Sequence, residues 1–114
     1  MITFWHNPRC SKSRQALALL EEHGAPVDIR LYLANPPSRE ELETVAHKLG
    51  LPPLAMMRTG EKPFEEQELS ENDSPDNLFD AMAEFPILIE RPIAIRASRA
   101  VIGRPPENVL SLLD

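Results

Sequence analysis

The sequence predicts an α/β domain built on a mixed sheet, and three features carry that reading. A βαβ pattern opens the chain, a helix-rich stretch fills about 36–86, and two short apolar runs precede a last helix. At 114 residues there is room for one ordinary core and too little for two. The chain therefore reads as a single domain, 1–114, with a helical insertion at about 36–86.

Met1 to Trp5 is apolar and aromatic apart from Thr3 and stops at Asn7-Pro8, which makes a first strand ending in a turn. Ser11 to His23 carries Ala16, Leu17 and Leu20 on one face, with Gly24 and Pro26 as a stop, so a helix follows. Val27 to Leu31 alternates apolar and polar residues, the pattern of a half-buried strand. Ser38 and Glu41 form a capping box ahead of Leu42, Val45, Ala46 and Leu49, with Gly50 beyond. Pro53 to Met57 reads as a short helical turn, its Met56-Met57 pair as core filling. Ser74-Pro75 is an N-cap followed by proline at the first helical position, and Leu78, Phe79, Met82 and Phe85 supply the buried face. Pro92 to Ile95 and Ala100 to Ile102 make a hairpin around Arg96 to Arg99. A final helix begins at Pro105-Pro106-Glu107 and carries Val109, Leu110 and Leu113. The order βαβ, helical insertion, ββα is the thioredoxin-like arrangement.

Composition narrows the function. The chain is 42% hydrophobic and 26% charged, as soluble globular proteins are, and no apolar run approaches the ~20 residues of a membrane helix. Nothing at the N-terminus reads as a signal peptide, so a cytoplasmic home is expected. A net charge of −6 argues against a nucleic-acid surface. That charge is concentrated: Glu61 to Glu84 holds nine acidic residues and one lysine, which reads as solvated surface. One cysteine cannot form an internal disulfide, and no Cys/His spacing suggests a metal site.

The chemistry points to Cys10. It lies in His6-Asn7-Pro8-Arg9-Cys10-Ser11-Lys12-Ser13-Arg14, where the first strand passes into the first helix, and ligands of open α/β sheets bind at such strand ends. Unpaired N–H groups and a partial positive charge at a helix start favour a thiolate, and the basic neighbours act in the same direction. Arg58, Arg91 and Arg104 stand where the chain changes direction. A guanidinium fork matches the edge of a tetrahedral oxyanion, which makes the three arginines candidate anion ligands.

The segment from His6 to Arg14, Leu31-Tyr32-Leu33 with Pro36-Pro37, the block Phe85 to Ile93, and Ile102-Gly103-Arg104-Pro105-Pro106 together resemble the glutaredoxin-coupled arsenate reductase family. The resemblance covers essentially the whole chain. It implies that Cys10 is the nucleophile, that Arg58, Arg91 and Arg104 bind the oxyanion, that His6 and Ser13 favour the thiolate, and that Pro92 is a cis-proline facing the cysteine. It also implies a relay with no bound cofactor: arsenate as substrate, glutathione as co-substrate and glutaredoxin as protein partner. Ser13 stands where a dithiol oxidoreductase would have its second cysteine, so an external thiol must resolve the adduct. Two rival functions use the same fold. A monothiol glutathione-dependent thiol transferase would need Cys10 but not the three arginines, and a non-catalytic redox regulator would dock a protein partner through the acidic stretch. A monomer is the default for a small redox protein that must expose its sulfur.

Overall fold

Strand β1 (Ile2–Trp5) has neighbours on both sides and organises the sheet. It pairs in parallel with β2 (Val27–Arg30), Ile2 opposite Val27 and Trp5 opposite Arg30, and antiparallel with β3 (Ile93–Arg96), Phe4 opposite Ala94. β4 (Arg99–Ile102) folds back on β3, giving the order β2-β1-β3-β4. Parallel neighbours need a crossover, and α1 (Ser11–Glu22) supplies it. The computed structural model describes residues 1–113, and its sheet is the mixed, thioredoxin-like one that the sequence predicts. Two compact units divide the chain: Met1–Asn35 with Arg91–Asp114, and Pro36–Glu90, which contains the helical insertion.

In the first unit, Ile2 and Phe4 of β1 and Ala94 of β3 point to one face of the sheet. They cluster with Ala16 and Leu20 of α1 and with Val109 and Leu112. The last two belong to the segment expected to be an α-helix, which is instead a 3-10 helix, Pro106–Leu113. Its buried residues are Pro106, Val109 and Leu112, spaced by the three residues of a 3-10 turn. Leu110 and Leu113, read from the sequence as part of the buried face, are only partly covered. Arg96 and Arg99 of the hairpin donate to the Leu112 carbonyl and so hold the end of this helix. β2 also departs from expectation. Val27 packs against the core, but Ile29 is 48% exposed, because β2 lies at the edge of the sheet.

The second unit begins with α2 (Arg39–Leu49). Ser38 Oγ accepts from the Glu41 N–H at 3.1 Å while the Glu41 carboxylate accepts from the Ser38 N–H at 3.0 Å, the reciprocal cap expected. Gly50 ends the helix at φ 69°, a conformation that costs a residue with a Cβ. A 3-10 turn, Pro53–Met56, leads to α3 (Lys62–Glu66), which the sequence reading lacks. α3 has five residues and buries none of them, so it leaves no periodic trace. α4 (Pro75–Glu84) is capped by Ser74 Oγ, which accepts from the Asn77 N–H, and buries Leu78, Phe79, Ala81 and Met82. The acidic stretch is partly used internally: Arg39 of α2 pairs with Asp76 and Asp80 of α4 as well as with Glu43. After the 3-10 turn Pro86–Leu88, an antiparallel bridge between Met57 and Ile89 sets Arg58 beside Glu90. Met56 and Met57 are buried, as core-filling residues are.

The three-residue period of the last helix predicts unequal costs for two leucines. Leu112→Ala should destabilise the fold by about 2–5 kcal/mol in urea denaturation, while Leu110→Ala costs well under half as much. Equal losses would mean that the helix is seated by its α-helical face.

Candidate active site

The β1–α1 junction is shaped by backbone groups and one amide. The Asn7 carbonyl oxygen accepts from the Cys10 N–H at 3.0 Å and its side-chain Oδ1 from the Arg9 N–H at 3.0 Å. The two bonds fold residues 7 to 10 into a turn. Arg14, one turn into the helix, donates from Nη1 to the Pro8 carbonyl at 2.8 Å and braces the turn from outside. Cys10 is the N-cap of α1, with extended backbone, and its carbonyl accepts from the Arg14 N–H. Its side chain does no capping, so the N–H groups of Ser11, Lys12 and Ser13 at the helix start are not taken up by the sulfur.

The sulfur is largely buried and faces a cation: Arg104 Nη2 lies 3.5 Å from Cys10 Sγ. The same guanidinium donates from Nε to the Arg91 carbonyl at 2.8 Å, which fixes its approach. Arg104 is thus brought beside the sulfur, against the Arg91 main chain at the other end of the hairpin. The Arg91–Pro92 peptide bond is cis, and so is Arg104–Pro105. Gly103 donates to the Pro92 carbonyl at 2.9 Å, and a Cβ at Gly103 would stand 2.7 Å from Pro92 Cγ and 3.1 Å from Val109 Cγ1. Only glycine allows that approach.

His6 and Ser13 are both buried and paired with each other, His6 Nδ1 to Ser13 Oγ at 2.7 Å. Ser13 Oγ also accepts from the Asn7 N–H at 3.1 Å. Burial, with the nearby Arg14 charge adding to it, pushes the His6 imidazole below its ordinary range, so the ring is neutral at neutral pH. The Ser13 oxygen has a second accepting lone pair besides the one used by Asn7, so the direction of the His6–Ser13 bond follows the ring tautomer. The pair therefore ties the end of β1 to the first turn of α1.

Arg58 belongs to the other unit, where it is ion-paired with Glu61 and, at 3.7 Å, with Glu90. Its main chain is held too, by donation from the Arg58 N–H to the Leu88 carbonyl at 2.7 Å. Sequence reasoning missed two residues that build the site. From sequence Asn7 is only a turn former beside Pro8, and Gly103 only part of a motif. The Asn-Pro pair was a sufficient signal for the first; the second depends on a contact 11 residues away in sequence, with Pro92. Among the described residues no group of three or more His, Cys, Asp or Glu side chains could hold a metal ion, and no helix is long and apolar enough to cross a membrane.

One thiol at a helix N-terminus, set against an arginine on a sheet of this order, defines a thioredoxin-like protein with a single cysteine at the start of its first helix. More closely, the chain belongs to the ArsC family, whose model matches residues 5–112. It is 46% identical to an arsenate reductase of Haemophilus influenzae over 98% of both chains. It is 40% identical to an arsenate reductase of Escherichia coli over 99% of this chain and 81% of that one. The structure of an arsenate reductase from Vibrio cholerae superposes with a TM-score of 0.92 at 48% identity, covering 96% of this chain and 95% of that one.

Two outcomes are expected of this site. Gly103→Ala should cost about 1–3 kcal/mol in chemical denaturation, because its methyl meets the Pro92 ring and the Val109 side chain. A neutral effect would show that the loop can retreat. His6 should titrate below 6.5 by NMR. Its folded value lies under the unfolded one, so acid protonates the unfolded chain first. The stability His6 contributes is complete above pH 6.5 and is lost as pH falls through the folded value. His6→Asn should remove that part of the pH dependence; an unchanged acid limb would assign it to other groups.

Proposed function

We propose that this protein reduces arsenate to arsenite through the Cys10 thiolate, with glutathione and glutaredoxin as reductants. The observation that carries the reading is the Cys10 sulfur at the start of α1 with the Arg104 guanidinium 3.5 Å away. A thiolate is a strong nucleophile, and an arginine beside it holds an oxyanion where the sulfur can reach it. The arsenate reductases to which the chain is similar support arsenate as that anion.

Cys10 attacks arsenic, an arsenic–oxygen bond breaks, and the oxygen leaves as water, giving a sulfur–arsenic(V) adduct. Glutathione thiolate then attacks the Cys10 sulfur. The sulfur–arsenic bond breaks with its electron pair passing to arsenic, which departs as arsenite, and a Cys10–glutathione disulfide remains. Glutaredoxin attacks the glutathione sulfur and releases Cys10 as a thiolate. No second cysteine is available for this last step, since Cys10 is the only one in the chain. Arg91, Arg104 and Arg58 bind the oxyanion and stabilise its charge as bonds change. His6 and Ser13 favour the thiolate by holding the loop that presents it. The reducing cytoplasm is the compartment that suits such chemistry.

Purified protein supplied with arsenate, glutathione and glutaredoxin should form arsenite, and Cys10→Ser should abolish it. Arg104→Ala should lower kcat/KM for arsenate by about tenfold or more while leaving any reaction with a glutathione mixed disulfide much less affected. Turnover of the disulfide alone, indifferent to the arginine, would identify the protein as a thiol transferase.

A further inference from the structure

The outer edge of β2 is written to pair with itself. Neighbouring β1 takes up the carbonyls of Pro26 and Arg30, through the N–H groups of Ile2 and His6 at 3.0 and 2.9 Å. Along a strand these groups alternate in direction, so the even-numbered residues of β2 face β1 and the odd-numbered ones, Val27 and Ile29, turn theirs outward. β2 is an end strand of the sheet. Ile29 and Leu31 are 48% and 46% exposed, and neither a proline nor a lysine stands among residues 27–31.

We propose that this edge is a self-association site, at which a second copy of the chain adds its own β2 antiparallel about a twofold axis through Ile29. Residues 27–31, Val-Asp-Ile-Arg-Leu, read apolar, acidic, apolar, basic, apolar. Antiparallel pairing centred on Ile29 sets Ile29 against its own copy and Val27 against Leu31. It also sets Asp28 of each chain against Arg30 of the other. The charges are complementary in this register; a shift by two residues loses both pairs. The hydrogen-bonding geometry agrees. Ile29 is an outward-facing position, so the two copies of Ile29 exchange both N–H···O bonds. Asp28 and Arg30 then form the closer, non-hydrogen-bonded pairs, where side chains meet best. Leu31 can contribute its N–H but has its carbonyl engaged by the N–H groups of Ala34 and Asn35, which ends the pairing there. Arg30 is already held flat, its guanidinium 5.8 Å from the Trp5 ring centroid and its Nε bonded to the Asn35 carbonyl, so little freedom is lost on meeting Asp28. Such an isologous contact closes on itself as a dimer with one continuous eight-stranded sheet. Two five-residue segments bury far less than the ~1,600 Å² of a standard interface, which makes the dimer weak and reversible. This differs from the monomer expected from the sequence.

Sedimentation velocity across about 1 µM to 1 mM protein, the span of weak affinities, tests it. The weight-average mass should rise with concentration from one chain toward two. Asp28→Arg opposes two cations at both pairs, and Arg30→Asp opposes two anions, so each variant should stay monomeric. An equimolar mixture of the two restores opposite charges at both pairs and should associate again. Ile29→Lys, at an exposed position, sets two ammonium groups together on the axis and provides a second disruption independent of the charge pairs. A wild-type protein that is monomeric at about 1 mM overturns the proposal. So does a dimer that survives Asp28→Arg and Ile29→Lys, or a mixture that associates no better than its components.

Discussion

Cys10 occupies an N-cap position without acting as a cap, and the rest of the site answers to that. A serine, threonine or aspartate there would turn its oxygen onto a backbone N–H of the helix and stabilise it by about 1 kcal/mol. Cys10 turns its sulfur toward Arg104 and leaves the first N–H groups of α1 unclaimed by it. The local structure must then be held by other means. Asn7 accepts from both Arg9 and Cys10, Ser13 joins the Asn7 N–H to the His6 ring, and Arg14 reaches back to Pro8. Helix stability is thereby transferred from the cap to the loop, and the sulfur remains available for chemistry.

The arginines of this small acidic protein are distinguished by what holds them. Arg39 joins two helices through three carboxylates, and Arg96 and Arg99 secure the last carbonyls of the 3-10 helix. Arg58 is ion-paired with two carboxylates. Arg104 stands beside the sulfur, its Nε steadied by the Arg91 main-chain carbonyl.

The elements legible in sequence were those whose signal is local. Hydrophobic alternation and capping chemistry located β1, α1, α2 and α4, because each depends on residues within one or two turns of itself. The Cys10 loop was legible for the same reason: basic residues, a turn and a helix start lie within nine positions. α3 was not, having no buried face to impose a period. The last helix was misread as α because Val109, Leu110, Leu112 and Leu113 satisfy both periods. The packing of Val109 and Leu112 against β1 and α1 selects the tighter one.

The sequence by itself determined the order of the strands and of the longer helices, the place of the lone cysteine at a helix start and the lack of a second thiol, since all three are properties of neighbouring residues or of a count. Tertiary structure alone decided which arginine meets the sulfur, 94 positions away in the chain, and that Gly103 must be small enough for Pro92 to approach. It also decided that β2 stands at an edge with Ile29 exposed. These depend on how the hairpin returns to β1, and strand order is settled by packing among distant segments, which no local pattern encodes.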